Sequence, residues 1–242
     1  MNKKCDFQLN RQRKNVMHFM PRKIKEDNIF FGLSLTEEQK IFRDAIYDDE
    51  HTLVICDAKA GSGKTTIAVA CAKLLIDEHK FESAKYIFSA VQESVLGYTP
   101  GSAEEKESKY YLPLIDALLK INEQPEKSIY SSNMLNRKND NSWIEATSHT
   151  FMRGSNIDNK IIIIDEAQNF TVSELKKVLT RCHDNSKVIM IGHSLQIDLK
   201  NKKDSGFVKY LNYFQDKDIC KICTLSKNFR GVLAQLADDL EI

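Results

Sequence analysis

The chain has 242 residues, of which 42% are hydrophobic and 29% are charged, enough apolar material for one α/β domain or two small ones. A formal net charge of +1 excludes a protein that holds nucleic acid through its overall charge. No apolar run reaches the length of a membrane span, the N-terminus lacks a signal-peptide core and the six cysteines are scattered, so we expect a cytoplasmic protein with no membrane partner.

The first 26 residues form a basic N-terminal arm. Residues 1–25 carry eight lysines and arginines and one acidic residue, Asp6. Two interpretations stand side by side: the arm contacts the phosphates of a nucleic acid, or it is a solvated, flexible terminus. Its Arg-rich, acid-poor composition also leaves an organelle transit peptide open.

A glycine-rich segment at 58–65, Ala-Lys-Ala-Gly-Ser-Gly-Lys-Thr, is the strongest motif of the chain. It follows a β-branched strand (52–56) and leads into a predicted helix (66–75). This order binds phosphate, because backbone N–H groups converge at the positive end of a helix. Lys64 then contacts the β- and γ-phosphates and the Thr65 hydroxyl contacts Mg²⁺, whereas the alternative is a turn with a chance Gly-Lys-Thr. The predicted phosphate-binding residues are Ala60, Gly61, Ser62, Gly63, Lys64, Thr65 and Thr66.

Strands and helices alternate along residues 27–242, which predicts a single domain with a doubly wound, mainly parallel α/β sheet and ligands at the carboxyl ends of the strands. An irregular insertion is expected at about 92–141, and residues 122–142 are expected to form an exposed loop or hairpin. The predicted strands are 52–56, 85–91, 160–164, 187–191 and 219–225, and the predicted helices are 35–47, 66–75, 110–121, 171–181, 206–214 and 229–242.

Two acidic residues follow the β-branched strand 160–164, at the sheet edge where the phosphate loop must also lie. Here Asp165 is expected to hold Mg²⁺, directly or through water, together with Thr65. Glu166 is expected to orient and deprotonate a water that attacks the γ-phosphate. The alternative is a pair of solvated carboxylates at a strand end.

Gln196 follows the next strand after a short turn. From this position it can reach the γ-phosphate or the attacking water and sense which nucleotide is bound. The alternative is a turn glutamine that faces solvent.

These residues resemble a family, the PhoH-like proteins, which are relatives of the first core domain of superfamily 1 helicases. The resemblance covers about residues 35–242, and the order and spacing of its segments exclude chance similarity. The matching segments are 61–65, 96–101, 104–106, 111–118, 151–154, 165–169, 179–181, 196–199 and 205–206.

The resemblance implies a RecA-like P-loop NTPase core that binds and hydrolyses ATP with Mg²⁺. It implies a role in RNA metabolism, with single-stranded RNA as a partner, and an association with phosphate starvation. Related proteins assemble as rings, so a homo-oligomeric ring is also implied. Many bacteriophages carry short members of this kind, and the lysine-rich composition fits such a source.

The chain departs from the family pattern at several positions. Ala58 replaces the first glycine of the phosphate loop, and its small side chain preserves the turn if its φ is negative. Residues 88–90 are Phe-Ser-Ala where the family tends to have Thr-Arg-Pro. His193 replaces an aspartate before Gln196, which puts the coupling between the Mg²⁺ region and Gln196 in question.

Several further residues acquire roles from the resemblance. Gln39 resembles the glutamine that reads adenine, although its spacing from Thr36 equally fits a capping box. Arg230 stands where the family has an arginine-histidine pair, and it is expected to stabilise the transferring phosphoryl group of a neighbouring subunit or to be a surface arginine. Arg153 and Arg181 fit the pattern and face nucleotide, a neighbour or an ion-pair partner.

The leading hypothesis is therefore a Mg²⁺-dependent ATPase with Lys64, Glu166, Gln196 and Arg230 as catalytic residues. A chain with one core lacks the second core of a helicase motor, so helicase activity is left open. The second hypothesis is a nucleotide-gated module that binds RNA or protein with little or no hydrolysis, motivated by Ala58 and His193. A small-molecule kinase is a weaker third reading, because such an enzyme has less need of an acidic pair.

Overall fold

Six parallel strands carry the fold in the computed structural model, which describes residues 30–89, 111–130, 142–152 and 156–238. Within these residues the strand order is β3-β2-β4-β5-β1-β6. The strands are β1 (Leu53–Ala58), β2 (Ser83–Phe88), β3 (Ile144–Ser148), β4 (Lys160–Ile164), β5 (Lys187–Gly192) and β6 (Cys220–Leu225).

Helices cover both faces of this sheet. The α-helices are α1 (Glu37–Tyr47), α2 (Lys64–Asp77), α3 (Leu112–Lys120), α4 (Pro125–Ser128), α5 (Val172–Leu179), α6 (Phe207–Phe214) and α7 (Val232–Asp238). One core layer lies beneath α1, α2 and α3, and the other lies beneath α5 and α6. The predicted fold class, α/β with a doubly wound parallel sheet, is confirmed.

The centre of the sheet is built from β-branched residues that are buried on both faces. Residues 161–164 of β4 are isoleucines with no exposed surface, and alternate members of the run belong to opposite core layers. β1 lies between β5 and β6, with Asp57 opposite Gly192 on one side and Thr224 on the other. The segments that follow β5 and β6 therefore flank the segment that follows β1.

A buried lysine joins the sheet to the far end of α1. Lys187 begins β5 and is 4% exposed, and its Nζ donates hydrogen bonds of 2.6 Å to the carbonyl oxygens of Ile46 and Asp48. Burial lowers the pKa of Lys187 to about 8. The two carbonyls lie at the C-terminal end of α1, so the ammonium group caps that helix.

The structure confirms the helix predicted at 110–121 as α3, whose Leu114 and Leu118 are fully buried against the core. The residues that follow contain α4, whose Ser128 is 1% exposed. The prediction of an exposed loop or hairpin from residue 122 onward is thus wrong for 122–130. Strand β3 was not predicted at all.

The predicted arm (1–26) and residues 92–110, 131–141, 153–155 and 239–242 lie outside the described residues. The C-terminal helix begins at Val232 rather than at residue 229, because Gly231 adopts a φ of +112° that ends the preceding turn. Across the described ranges, no helix combines the length and the apolar character needed to cross a membrane.

Candidate nucleotide site

The glycine-rich loop leaves β1 and enters α2 through two left-handed residues. Gly61 has a φ of +69° and Gly63, the N-cap of α2, has a φ of +83°. Both values favour glycine, which lets the loop turn tightly at the positive end of the helix. Ala58 ends β1 and is not among the described residues with positive φ, so the condition under which alanine preserves the turn is met.

Asp165 follows the carboxyl end of β4 and lies next to Thr65, which is in the first turn of α2. The Thr65 Oγ1 donates to Asp165 Oδ2 at 2.9 Å, and the Tyr86 hydroxyl donates to the same oxygen at 2.6 Å. Burial, followed by the charge of Glu166, raises the pKa of Asp165, and burial raises the pKa of Tyr86 well above its ordinary value. The two predicted Mg²⁺ ligands, Thr65 and Asp165, therefore lie together. The Tyr86 hydroxyl also holds the Asp165 carboxylate, and the sequence did not indicate this contact.

Glu166 faces the lysine of the phosphate loop. Its Oε1 lies 3.2 Å from Lys64 Nζ, and its backbone adopts a left-handed conformation with φ 49° and ψ 44°. Gln168 Nε2 donates to the other carboxylate oxygen of Glu166 at 2.6 Å. A left-handed backbone is costly for a residue with a side chain, and such conformations cluster at functional sites.

Gln168 also connects this carboxylate to the strand beyond. Its Oε1 accepts the backbone N–H of His193 at 3.0 Å, and the Gln196 N–H in turn donates to the His193 carbonyl at 3.2 Å. The histidine in place of aspartate put this coupling in question. The structure connects the two regions through Gln168 and the backbone of residue 193, so the link does not depend on that side chain.

Two further side chains hold the loop that contains Gln196, here called the 193–198 loop. The Asn169 side chain accepts from the Asp198 N–H at 2.8 Å and donates to its carboxylate at 3.0 Å. The Asp57 carboxylate accepts from the N–H of Ser194 at 2.9 Å and from its hydroxyl at 2.7 Å. Gln196 itself is exposed on this loop.

Gln39 combines capping with a contact to the phosphate loop. Its Oε1 accepts the Thr36 N–H at 2.9 Å, and its own N–H donates to Thr36 Oγ1, which completes the capping box of α1. Its Nε2 donates to the Ser62 carbonyl at 2.8 Å. The capping alternative is thus confirmed, and the same side chain lies against the loop.

The segment after β6 covers the other side of the loop. The Phe229 N–H donates to the Gly61 carbonyl at 3.0 Å, and a Cβ built on Gly61 would lie 2.7 Å from Arg230 Cγ. Arg230 therefore lies beside the phosphate loop of its own chain, whereas the sequence led us to expect it at a neighbour's site. Phe229 is 49% exposed.

The remaining two arginines lie elsewhere. Arg181 donates from Nη1 to the Lys177 carbonyl near the end of α5, so it is a local structural partner. Arg153 lies outside the described residues.

The residues at the loop suit a nucleotide phosphate with Mg²⁺. The ammonium of Lys64 and the glycine-lined turn fit an anion, while the Thr65 hydroxyl and the Asp165 carboxylate are the hard oxygen ligands that Mg²⁺ prefers. Among the described residues, no cluster of three or more His, Cys, Asp or Glu side chains could hold a metal by itself. Mg²⁺ usually binds through one or two carboxylates together with waters and substrate phosphates.

A family model described as "PhoH-like protein" matches residues 33–237. The chain belongs to the PhoH-like family. A PhoH-like protein of Synechocystis is 32% identical over 179 residues, which are 74% of this chain and 52% of that protein. Protein PhoH2 of Bacillus subtilis is 29% identical over 228 residues, which are 91% of this chain and 50% of that protein. The chain thus spans about half the length of the curated relatives that it matches.

Solved helicase structures overlap this PhoH-like chain more distantly. Bacteroides Pif1 in complex with ADP-AlF4 covers 83% of this chain and 44% of its own, with a TM-score of 0.38 and 19% identity. The Pyrococcus furiosus Hef helicase domain covers 78% of this chain and 38% of its own, with a TM-score of 0.44 and 14% identity.

The PhoH-like family and the geometry of the loop make the chain a P-loop NTPase. Sequence reasoning missed Tyr86 and Asp57, and it assigned no role of its own to Gln168. A tyrosine within a predicted strand, and an aspartate at the end of another, were the signals that could have directed attention to the first two.

Proposed function

We propose that this PhoH-like chain hydrolyses ATP in the presence of Mg²⁺. The observation that carries the proposal is a pair of contacts: Thr65 Oγ1 lies 2.9 Å from Asp165, and Lys64 Nζ lies 3.2 Å from Glu166. These contacts support the proposal because the four side chains lie in one cluster at the carboxyl edge of the sheet.

Each side chain has a task that its position supports. Lys64 and the backbone N–H groups of residues 60–66 bind the β- and γ-phosphates, and Thr65 with Asp165 would hold Mg²⁺. When bound, the ion supplies positive charge that neutralises the phosphate oxygens. Glu166 orients a water and accepts its proton, and Gln168 holds the carboxylate in place for that transfer.

Arg230 and Gln196 complete the phosphate side of the proposal. Arg230, which lies over Gly61 of its own chain, stabilises the charge of the transferring phosphoryl group, and Gln196 senses the γ-phosphate from the 193–198 loop. Because Arg230 lies in cis, hydrolysis does not need a neighbour's arginine. A homo-oligomeric ring therefore remains a separate proposal.

The base of the nucleotide is proposed to lie between α1 and the segment after β6. Gln39 and Phe229 both contact the loop backbone, at Ser62 and Gly61, and Phe229 is half exposed. Lys227 Nζ lies 5.1 Å from the centroid of the Phe229 ring, so adenine is proposed to stack on the opposite ring face. Gln39 keeps one amide hydrogen beyond the bond to Ser62 for reading the base.

We further propose a cytoplasmic role in RNA metabolism under phosphate starvation, with single-stranded RNA as the partner. The family membership and the eight basic residues in positions 1–25 support this extension.

The central test compares steady-state ATP turnover of the wild type with that of Lys64→Ala and Glu166→Gln. Lys64→Ala is expected to lose nucleotide affinity and turnover, while Glu166→Gln is expected to bind ATP and turn over at least about 100-fold more slowly. Lys80→Ala, which removes an exposed ion pair with Asp49, is the matched lysine control and should behave like the wild type.

The same test decides between hydrolysis and the nucleotide-gated module. Hydrolysis requires Glu166 to leave this ion pair with Lys64 and accept a water proton, and a chain that keeps the pair would bind ATP without hydrolysing it, which is the second function. Background turnover in the wild type and in Glu166→Gln, alongside intact ATP binding, would establish the switch and reject the enzyme.

A second measurement addresses the RNA partner. Turnover is compared with and without single-stranded RNA and single-stranded DNA at two salt concentrations, for the full chain and for a variant lacking residues 1–25. The proposal expects stimulation by RNA that weakens with salt and with the deletion. Stimulation that the deletion leaves unchanged would remove the arm from the interaction.

A further inference from the structure

Asp57 makes a two-point contact that no part of the proposed function uses. It lies near the end of β1, one residue before the glycine-rich segment, and it is half-buried. Oδ1 accepts the Ser194 N–H at 2.9 Å and Oδ2 accepts the Ser194 hydroxyl at 2.7 Å. The carboxylate therefore fixes both the backbone and the side chain of one residue.

The contacted residue belongs to the 193–198 loop, which is anchored at three backbone N–H groups. Gln168 accepts that of His193, Asp57 accepts that of Ser194, and Asn169 accepts that of Asp198. The first and third anchors come from the segment after β4. Among these three, Asp57 alone comes from the strand that leads into the phosphate loop.

The register between β1 and β5 explains how the Asp57 carboxylate reaches Ser194. Asp57 lies opposite Gly192 on β5, and Ser194 follows that glycine by two residues. The loop's own residue at the strand end, His193, is buried, and its Nδ1 has no hydrogen-bond partner within the described residues. The carboxylate that holds this turn is therefore supplied by β1.

We propose that Asp57 is a positioning residue, which fixes Gln196 relative to the phosphate loop by clamping Ser194. The inference rests on the proposed hydrolysis of ATP. One strand then orients both groups that face the γ-phosphate, the phosphate loop through the chain and Gln196 through the carboxylate. Two hydrogen bonds from one side chain to the backbone and the hydroxyl of one residue are a strong restraint, because they fix its position and its orientation together.

The experiment measures kcat, KM, the dissociation constant for ADP and the exchange rate of the Ser194 amide hydrogen. Asp57→Ala is expected to lower kcat about 10- to 100-fold, because small displacements of a positioned group are costly. It should leave ADP affinity within about twofold and speed exchange at Ser194, since the contacts of the phosphate loop remain.

Asp57→Asn supplies the conservative rescue. Its oxygen accepts the Ser194 N–H and its amide donates to the Ser194 hydroxyl, so kcat should return to within about threefold of the wild type. Asp49→Ala is the matched control, because it removes an exposed aspartate, paired with Lys80, that precedes β1.

Each other outcome contradicts the inference. An unchanged kcat in Asp57→Ala shows that the clamp is idle, and an equally slow Asp57→Asn shows that charge rather than the clamp matters. A parallel loss of ADP affinity shows a role in the phosphate loop itself. If Asp57→Ala does not fold, Ser194→Ala removes only the hydroxyl bond, and an unchanged kcat there overturns the inference.

The failure of the proposed function looks different. A wild type without turnover rejects the hydrolysis and leaves the clamp to the exchange measurement. In that case, an amide of residue 194 that exchanges equally fast in the wild type and in Asp57→Ala shows no clamp, and Ser194→Ala takes the place of Asp57→Ala if that variant does not fold.

Discussion

Two carboxylate–serine pairs of the same chemistry flank the phosphate loop, and they differ in their surroundings. On the β5 side, Asp57 accepts the N–H and hydroxyl of Ser194 at 2.9 and 2.7 Å. On the β6 side, Glu38 accepts the N–H and hydroxyl of Ser226 at 2.8 and 2.7 Å. The first pair is partly buried and the second is exposed.

The neighbours of each pair separate the two sides further. The β5 side is backed by Gln168 and Asn169, which are 1% and 2% exposed. The β6 side carries Phe229, Val232 and Leu233, which are between 49% and 83% exposed. Buried hydrogen bonds are strong and costly to leave unmade, whereas exposed ones compete with water. We therefore call the β5 side the fixed side of the site, because its hydrogen-bonded groups are buried. We call the β6 side the adjustable side, because its side chains are exposed.

The largest effect is expected from Gln168→Ala on the fixed side. The substitution removes the hydrogen-bond partner of the His193 N–H and of Glu166 Oε2, which should lower the free energy of unfolding by about 1–3 kcal/mol. Turnover should fall about 100-fold as Glu166 loses its orientation. Chemical denaturation and ATP turnover measure the two effects, with the exposed Gln215→Ala as control. Wild-type turnover in Gln168→Ala would show that the contacts of the fixed side do not contribute to hydrolysis.

Gly192→Ala tests the rigidity of the same side by overpacking. The new Cβ would lie 2.8 Å from Gln168 Oε1 and 3.0 Å from Phe207 Cζ, and both side chains are buried. Because neither can move away, we expect a loss of about 1–3 kcal/mol in the free energy of unfolding. A urea denaturation curve measures it.

Gly61→Ala makes the matching change on the adjustable side. The new Cβ would lie 2.7 Å from both Arg230 Cγ and Asn228 Oδ1, but Arg230 is exposed and Asn228 is only half-buried, so both side chains can move away. The remaining cost is the left-handed backbone at φ +69°, about 1–2 kcal/mol. We expect a smaller loss of stability than for Gly192→Ala, together with a larger loss of ATP affinity. The reverse order of stabilities would refute the contrast between the two sides.

The smallest effect is expected from Ser226→Ala. Its two hydrogen bonds hold the pKa of Glu38 below its ordinary value, so the pair stabilises the fold above the unfolded pKa and loses that contribution as pH falls through the folded one. In Ser226→Ala the pKa of Glu38 should rise towards its ordinary value of about 4.3. An NMR titration of the Glu38 carboxyl measures this, and an unmoved pKa would show that the pair does not exist in solution.

The parts of the site that the sequence predicted are those that local pattern encodes. The isoleucine run 161–164 needs burial on both faces, and the glycines of the phosphate loop need positive φ. Both the strand and the loop could therefore be predicted from local sequence, without knowledge of the segments that contact them. The bounds of β4 agree with the prediction, and those of β1 and α2 agree within two residues.

The parts that were missed depend on contacts between distant segments. Asp57 and Ser194 are 137 positions apart, and Tyr86 and Asp165 are 79 apart, so no window of sequence contains either pair. β3 is an edge strand whose middle residues are only half-buried, and Ile144-Glu145-Ala146-Thr147-Ser148 shows no apolar alternation to mark it. Tertiary pairing, rather than local preference, defines these features.

Helix α1 is held by hydrogen bonds to other segments at both of its ends. Its N-terminal turn holds the phosphate loop through Gln39 and Ser62, and its last carbonyls are held by the buried ammonium of Lys187 at the opposite edge of the sheet. Its eleven residues separate these two contacts by about 16 Å. A change that shortens or tilts α1, or that breaks its contact with Lys187, is therefore expected to move the phosphate loop, although no atom near the nucleotide has been altered.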